Sequence, residues 1–262
     1  MLTARPASIR RVAPTRPLAW IGRGWADLRR AFVPSILHGV LLVIGAAVIV
    51  AVGWGRGWLL SGAFSGFVLI APSLLTGLYE LSRRLESGEP VGVGAALEGW
   101  RRAGLCPMRF GILLAVIGTI WVAVSALVVW GARPPDMTAA GGGVTEFLRF
   151  FFLGEYSALF LAWVMAGGLL AALVFAISVV SVPMMLDHRV RLPSAIATSV
   201  QAVAENPVTM AFWAVLIMVL TLVGLATGIG IVLLIPLLGH ASWHAYRDLV
   251  EPTSSEPALD KA

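Results

Sequence analysis

Six apolar runs, each able to form a helix through a bilayer, make up most of this chain, and its cations fall almost wholly on one side of them. The runs are 35–52, 59–78, 110–130, 157–182, 208–226 and 231–245. Threading them alternately leaves Arg56, Arg133 and Arg149 in the loops on one side. The remaining 16 of the 19 Lys and Arg residues (19 less 3) lie on the other, with both termini. Such an excess marks the cytoplasmic side. The chain is therefore expected to be an all-α membrane protein of six transmembrane helices, with both termini in the cytoplasm.

Composition supports this. A soluble domain of 262 residues cannot solvate its surface with 58% hydrophobic and 13% charged residues, whereas a lipid-facing exterior accommodates both figures. The pI near 10.3 does not point to nucleic acid, because the basic residues border apolar spans. Anionic headgroups on the cytoplasmic side are their nearest partner, at about 1 kcal/mol per basic residue near the surface. Cys106 is the single cysteine, which excludes an intrachain disulfide and a thiolate metal cage. Lys261 is the only lysine among abundant Ala, Gly and Arg, a bias that suits a GC-rich bacterial genome and hence an inner membrane. The first apolar run lacks a convincing cleavage site and reads as an uncleaved span.

Between the spans the pattern changes period. Residues 1–17 are basic and broken by Pro6, Pro14 and Pro17, and are expected to be a disordered arm. Leu18, Ile21, Trp25, Leu28 and Phe32 then recur three and four apart, as on a helix lying in the headgroup plane with its apolar stripe down. Pro34 opens the first span, where its missing N–H costs nothing. Val93, Leu97 and Trp100 form a second stripe before Pro107. Leu192, Ile196, Val200 and Val203 form a third before Pro207. The return spans carry Pro72, Pro183 and Pro236. The expected architecture over 18–250 is three helical-hairpin repeats, each preceded by a cytoplasmic amphipathic helix. Taken as one segment, 208–245 would be roughly 57 Å long, far beyond the hydrocarbon core, so a turn is expected near Gly224–Gly230. Residues 131–156 form a long outer loop, with Phe147 and Phe150–Phe152 at the outer interface. Residues 251–262 read as a disordered tail.

Aligning the return-span prolines brings Thr76, Asp187 and His240 into register four residues on. Glu80, Arg191 and His244 follow at eight, with Arg83 and Arg247 at eleven after Pro72 and Pro236. Spacing of four keeps a helical face. Thr76, Tyr79, Glu80, Asp187, His188, His240 and His244 thus form a candidate polar cluster near the cytoplasmic boundary, where ionisable groups mark functional sites. The competing reading makes them helix ends at which Arg83 and Arg247 snorkel. His240 and His244 are weak metal candidates, since no HExxH or cysteine accompanies them. Gly62 with Gly66, and Gly224 with Gly228, have the spacing of close helix packing. His38 inside the first span is read as bonding a neighbouring helix. Glu155 and Tyr156 are read as interfacial.

Gly77–Glu86, Ser181–Asp187, Glu205–Pro207 and Gly239–Asp248 resemble segments of a bacterial family of predicted integral membrane proteins, a domain of unknown function. The resemblance covers about 18–250 and implies a membrane topology without an established activity. Members are sometimes labelled cytochrome c oxidase subunit I. This chain has four histidines, His38, His188, His240 and His244, too few for that subunit's haem and copper ligands.

No P-loop, GxSxG, HExxH or dinucleotide fingerprint occurs, and no loop is long enough for a catalytic module. The expectation is a non-enzymatic protein without cofactors that organises lipids or membrane-protein partners. A small-solute or proton transporter using the polar cluster is the alternative, and a haem- or metal-binding subunit the second.

Overall fold

The computed structural model describes residues 8–53, 75–131, 157–188, 190–228 and 230–251. Most of the second apolar run, Gly62 and Gly66, the outer loop with its phenylalanines, Glu155 and Tyr156, and residues 1–7 and 252–262 lie outside them. The described residues are all-helical, with no β-strand. The elements are α1 (Arg16–Arg30), α2 (Phe32–Gly53), α3 (75–87), α4 (Val93–Ala103), α5 (Cys106–Gly131), α6 (Ser157–Ser178), α7 (Ser181–His188), α8 (Leu192–Glu205), α9 (Pro207–Thr227) and α10 (Gly230–Leu249).

Three stretches are long and apolar enough to cross a membrane: Cys106–Val128, Ser157–His188 and Pro207–Thr227. A fourth qualifies if α1 and the start of α2, bent by 102° at Ala31, are counted together. That right angle separates two chemistries. The uncharged, largely apolar α2, polar only at Ser35 and His38, follows an amphipathic α1 that carries Arg16, Arg23, Arg29 and Arg30. The expected amphipathic helices are α1, α4 and α8, and each leads directly into an apolar helix with proline in its first turn, at Pro34, Pro107 and Pro207.

The fourth apolar run is divided. α6 ends at Ser178 and α7 starts at Ser181, because Pro183 has no N–H and its ring opposes the carbonyl one turn back. The last two runs are separate helices, and Gly228 between them takes a positive φ of 66° that favours glycine. Gly228 is therefore a turn residue, contrary to the expected packing role. Gly224 does pack, against the backbone of Ile231.

One further expectation changes. The arm before α1 is placed from Ser8 onward. Arg10 N–H donates to Leu249 C=O (2.8 Å), Val12 N–H to Asn206 Oδ1 (2.8 Å), and Asn206 Nδ2 back to Arg10 C=O (3.0 Å). Asn206 thereby satisfies a strap that its Arg and Pro content suggested would be disordered. In α1, the buried face is Pro17, Trp20, Gly24, Asp27 and Leu28, against α10. Leu18, Trp25 and Phe32 of the expected stripe point outward. Gly24 sets the approach, since a Cβ there would lie 2.7 Å from the Ala241 nitrogen. Around this crossing, α1, α3, α4, α7, α8 and the C-terminal half of α10 form a densely packed helix layer.

Candidate functional site

The layer's centre is a buried chain of polar side chains from four elements. His240 and His244 stand one turn apart on α10, so both face the same neighbours. The Gly24–Ala241 contact places Asp27 of α1 opposite His244. His244 Nε2 lies 2.8 Å from Asp27 Oδ2, and Ser82 Oγ of α3 donates to the same oxygen at 2.8 Å. Ser82 Oγ is also 2.7 Å from His240 Nδ1. On the far side, His240 Nε2 is 2.8 Å from Ser35 Oγ of α2, which donates to Ala31 C=O (2.7 Å). Ser35, Ser82 and His240 have no exposed surface, and Asp27 is buried.

Burial disfavours the Asp27 carboxylate, but the bonds from His244 and Ser82 outweigh it and hold its pKa below the usual carboxylate value. Ser82 has one hydroxyl hydrogen and two acceptors within reach, Asp27 Oδ2 and His240 Nδ1. The chain can therefore hold its protons in more than one arrangement. Its outer end, Asp27 and His244, lines an open recess of about 440 Å³ rimmed by Arg23, Arg30 and Arg247.

The other expected cluster residues lie elsewhere. Glu80 is buried on α3, with Arg83 donating to both its oxygens and Arg84 to one, each at 2.8 Å. Burial works against its charged form, yet these bonds keep its pKa low. Arg84 also reaches Glu98 of α4 (2.6 Å), tying the two helices. Thr76 is buried one turn away, where its carbonyl meets Gly99. Asp187 of α7 accepts from Tyr246 (2.8 Å), with Arg247 and His188 3.4 Å away. Burial, then the Asp187 charge, raises the Tyr246 pKa. Tyr79 is buried in the apolar core. His38 Nδ1 bonds the Pro34 carbonyl of its own helix at 2.7 Å.

The expected cluster is thus three separate ion-pair and hydrogen-bond centres, because each return helix turns its polar face to a different neighbour. His240 and His244 do converge, with Asp27, Ser82 and Ser35, which the proline register omits. One signal for Asp27 was available: it is the only acidic residue before Glu80. Among the described residues no group of three His, Cys, Asp or Glu side chains is arranged to hold a metal.

Residues 59–187 match the family model described as "Predicted integral membrane protein (DUF2189)", an uncharacterised membrane family. No curated protein and no solved structure matches the chain. The matched stretch includes Ser82, the Glu80 centre up to Glu98, and Asp187, whereas Asp27, Ser35, His188, His240, His244 and Tyr246 lie outside it. Together with the apolar helices, the match identifies an integral membrane protein.

Proposed function

We propose that this is a six-span protein of the bacterial inner membrane that catalyses no reaction and organises lipids or membrane-protein partners from its cytoplasmic face. One observation carries the reading. The amphipathic helices α1, α4 and α8 are fastened into one layer with α10, and they keep apolar side chains such as Leu18, Trp25, Val93, Leu97 and Val200 facing outward. A layer that spends its polar groups internally and presents apolar residues beside arginines suits a membrane surface better than a substrate pathway. The recurrence of amphipathic helix, proline and apolar helix supports three hairpin repeats with both termini in the cytoplasm.

Reconstitution into sealed vesicles tests this. Proton, potassium and small-anion fluxes are expected to equal those of protein-free vesicles. A protein-dependent flux of a defined solute would overturn the proposal.

A second reading rests on the buried chain. His244, Asp27, Ser82, His240 and Ser35 form a continuous hydrogen-bonded line from the recess to the start of α2. In a relay step Ser82 Oγ would take a proton from a protonated Asp27 while passing its own hydrogen to His240 Nδ1. A proton flux abolished by Asp27→Asn would establish this reading in place of the first.

A further inference from the structure

The recess between α3 and α4 carries a binding site of its own. Glu80, Gly94, Leu97, Glu98, Arg101 and Arg102 line an open space of about 510 Å³. Its two carboxylates are already engaged. Arg83 and Arg84 occupy both oxygens of Glu80, and Arg84 bonds Glu98. Arg83 turns its remaining donors to Glu89. The two arginines of α4 are left over. Among the described residues Arg101 and Arg102 have no hydrogen-bonded partner, and Arg102 Nε is shielded from solvent while unsatisfied. A buried guanidinium N–H without an acceptor is costly to keep and implies an acceptor from outside the chain.

Charge and position define that acceptor. Arg83, Arg84, Arg101 and Arg102 face Glu80, Glu89 and Glu98, four cations against three anions, which leaves one positive charge. A phosphodiester carries one negative charge and offers oxygens in the geometry that a guanidinium grips. The rim is apolar on one side. Leu97 lines the recess and is 52% exposed, and Val93, one turn before it on α4, is 47% exposed. An occupant with a phosphate at Arg102 and hydrocarbon along Leu97 and Val93 is a membrane phospholipid. We infer that this recess binds a phospholipid headgroup, with Arg101 and Arg102 as donors to its phosphodiester. The inference rests on the organising role proposed above and names its lipid chemistry.

Calorimetric titration of the full-length protein in a neutral detergent tests it, with three probes: short-chain phosphatidylglycerol, the matching diacylglycerol and inorganic phosphate. Saturable binding is expected for the phospholipid alone. Arg102→Gln is expected to weaken it about tenfold or more, as loss of a charged hydrogen bond implies. Arg102→Lys, which keeps the charge without the Nε donor, is expected to fall between. The exposed Arg101→Gln gives a second reading that does not depend on how Arg102 variants fold, and Arg29→Gln on α1 is expected to bind as wild type. Equal binding of inorganic phosphate would overturn the assignment to a lipid. Wild-type affinity in both Arg101→Gln and Arg102→Gln, or an equal loss in Arg29→Gln, would overturn the site. Vesicle flux does not depend on this titration, so the organising role and the lipid site fail separately.

Discussion

α6 is a helix of 22 residues with no buried side chain, while α7, two residues further on, buries six of its eight. Both are helical and lie in one candidate membrane span, Ser157–His188, so length and composition do not separate them. Their neighbours do. α6 touches α5 through Trp163, which stacks on Trp121 with centroids 5.7 Å apart and donates to Ser125 at 2.9 Å, and its last turns meet α8, where Ser199 Oγ donates to Ala176 C=O at 2.7 Å. Otherwise α6 presents residues such as Leu169, which is 74% exposed. α7 sits in the helix layer, against α8, α4, α5 and α10. The apolar helices are thus specified by the solvent they need, and the layer by particular partners. Sequence changes should be tolerated in the first and felt in the second.

The sharpest way to break this contrast is to substitute Asp27. Asp27→Leu leaves His244 without its buried acceptor and Ser82 with His240 alone, and should cost about 3 kcal/mol or more, as removing one member of a buried ionic network does. Leu169→Ala on α6 should stay within about 0.5 kcal/mol. Denaturant unfolding in micelles, followed by tryptophan fluorescence, measures both, and equal losses would erase the distinction.

Paired glycine variants sharpen it. Gly24→Ala drives a methyl into the Ala241 backbone and should destabilise by about 2 kcal/mol. Gly168→Ala on α6 meets open space and should be neutral, or stabilising by up to about 1 kcal/mol through helix propensity. The difference in thermal midpoint between the two variants is the readout.

Acid probes the layer's edge. Burial works against the Asp248 carboxylate, but hydrogen bonds from Arg16, Arg23 and Trp20 bring its pKa to about 2 from an ordinary 3.8. A carboxylate with a depressed folded pKa stabilises fully above its unfolded pKa, and that stability is lost as pH falls from about 4 towards 2. Arg16 and Arg23 are more than a third exposed, so screening reduces the contribution to about 1 kcal/mol. Asp248→Asn should flatten the stability profile over that window. The smallest effect expected is that of Trp163→Phe between α5 and α6, at about 0.6 kcal/mol, the usual worth of one polar contact between membrane helices.

The periodicity of the chain made the helices legible: α4, α8 and the apolar runs announce themselves by spacing and by Pro34, Pro107 and Pro207. The faces of those helices were harder to read. In α1 the spacing of Leu18, Trp25 and Phe32 marks the outward face, whereas the buried face holds Gly24 and Asp27. Gly24 is buried for its smallness and Asp27 for its partners, and neither reason appears in a hydropathy profile. The candidate site divides the same way. Spacing of four joined His240 to His244, which is a local fact. Asp27 and Ser82 come from helices more than a hundred and fifty residues away in the chain, and only the packing of α1 and α3 on α10 brings them in. Glu80 and Asp187 shared a register with the histidines, but arginines and a tyrosine held them at separate helix ends.

The crossing of α1 with α10 also bears on how the molecule is made. α1 is translated first among the described elements and α10 last, and the bonds that fix the layer join the two: Asp27 to His244, Trp20 to Asp248 and the strap's Arg10 to Leu249. Throughout synthesis Asp27 waits without its histidine beside a growing set of apolar helices. Before His244 is made, Asp27 has only Ser82 of its two hydrogen-bonding partners. Closure of the layer therefore waits for α10, however early its other helices are made.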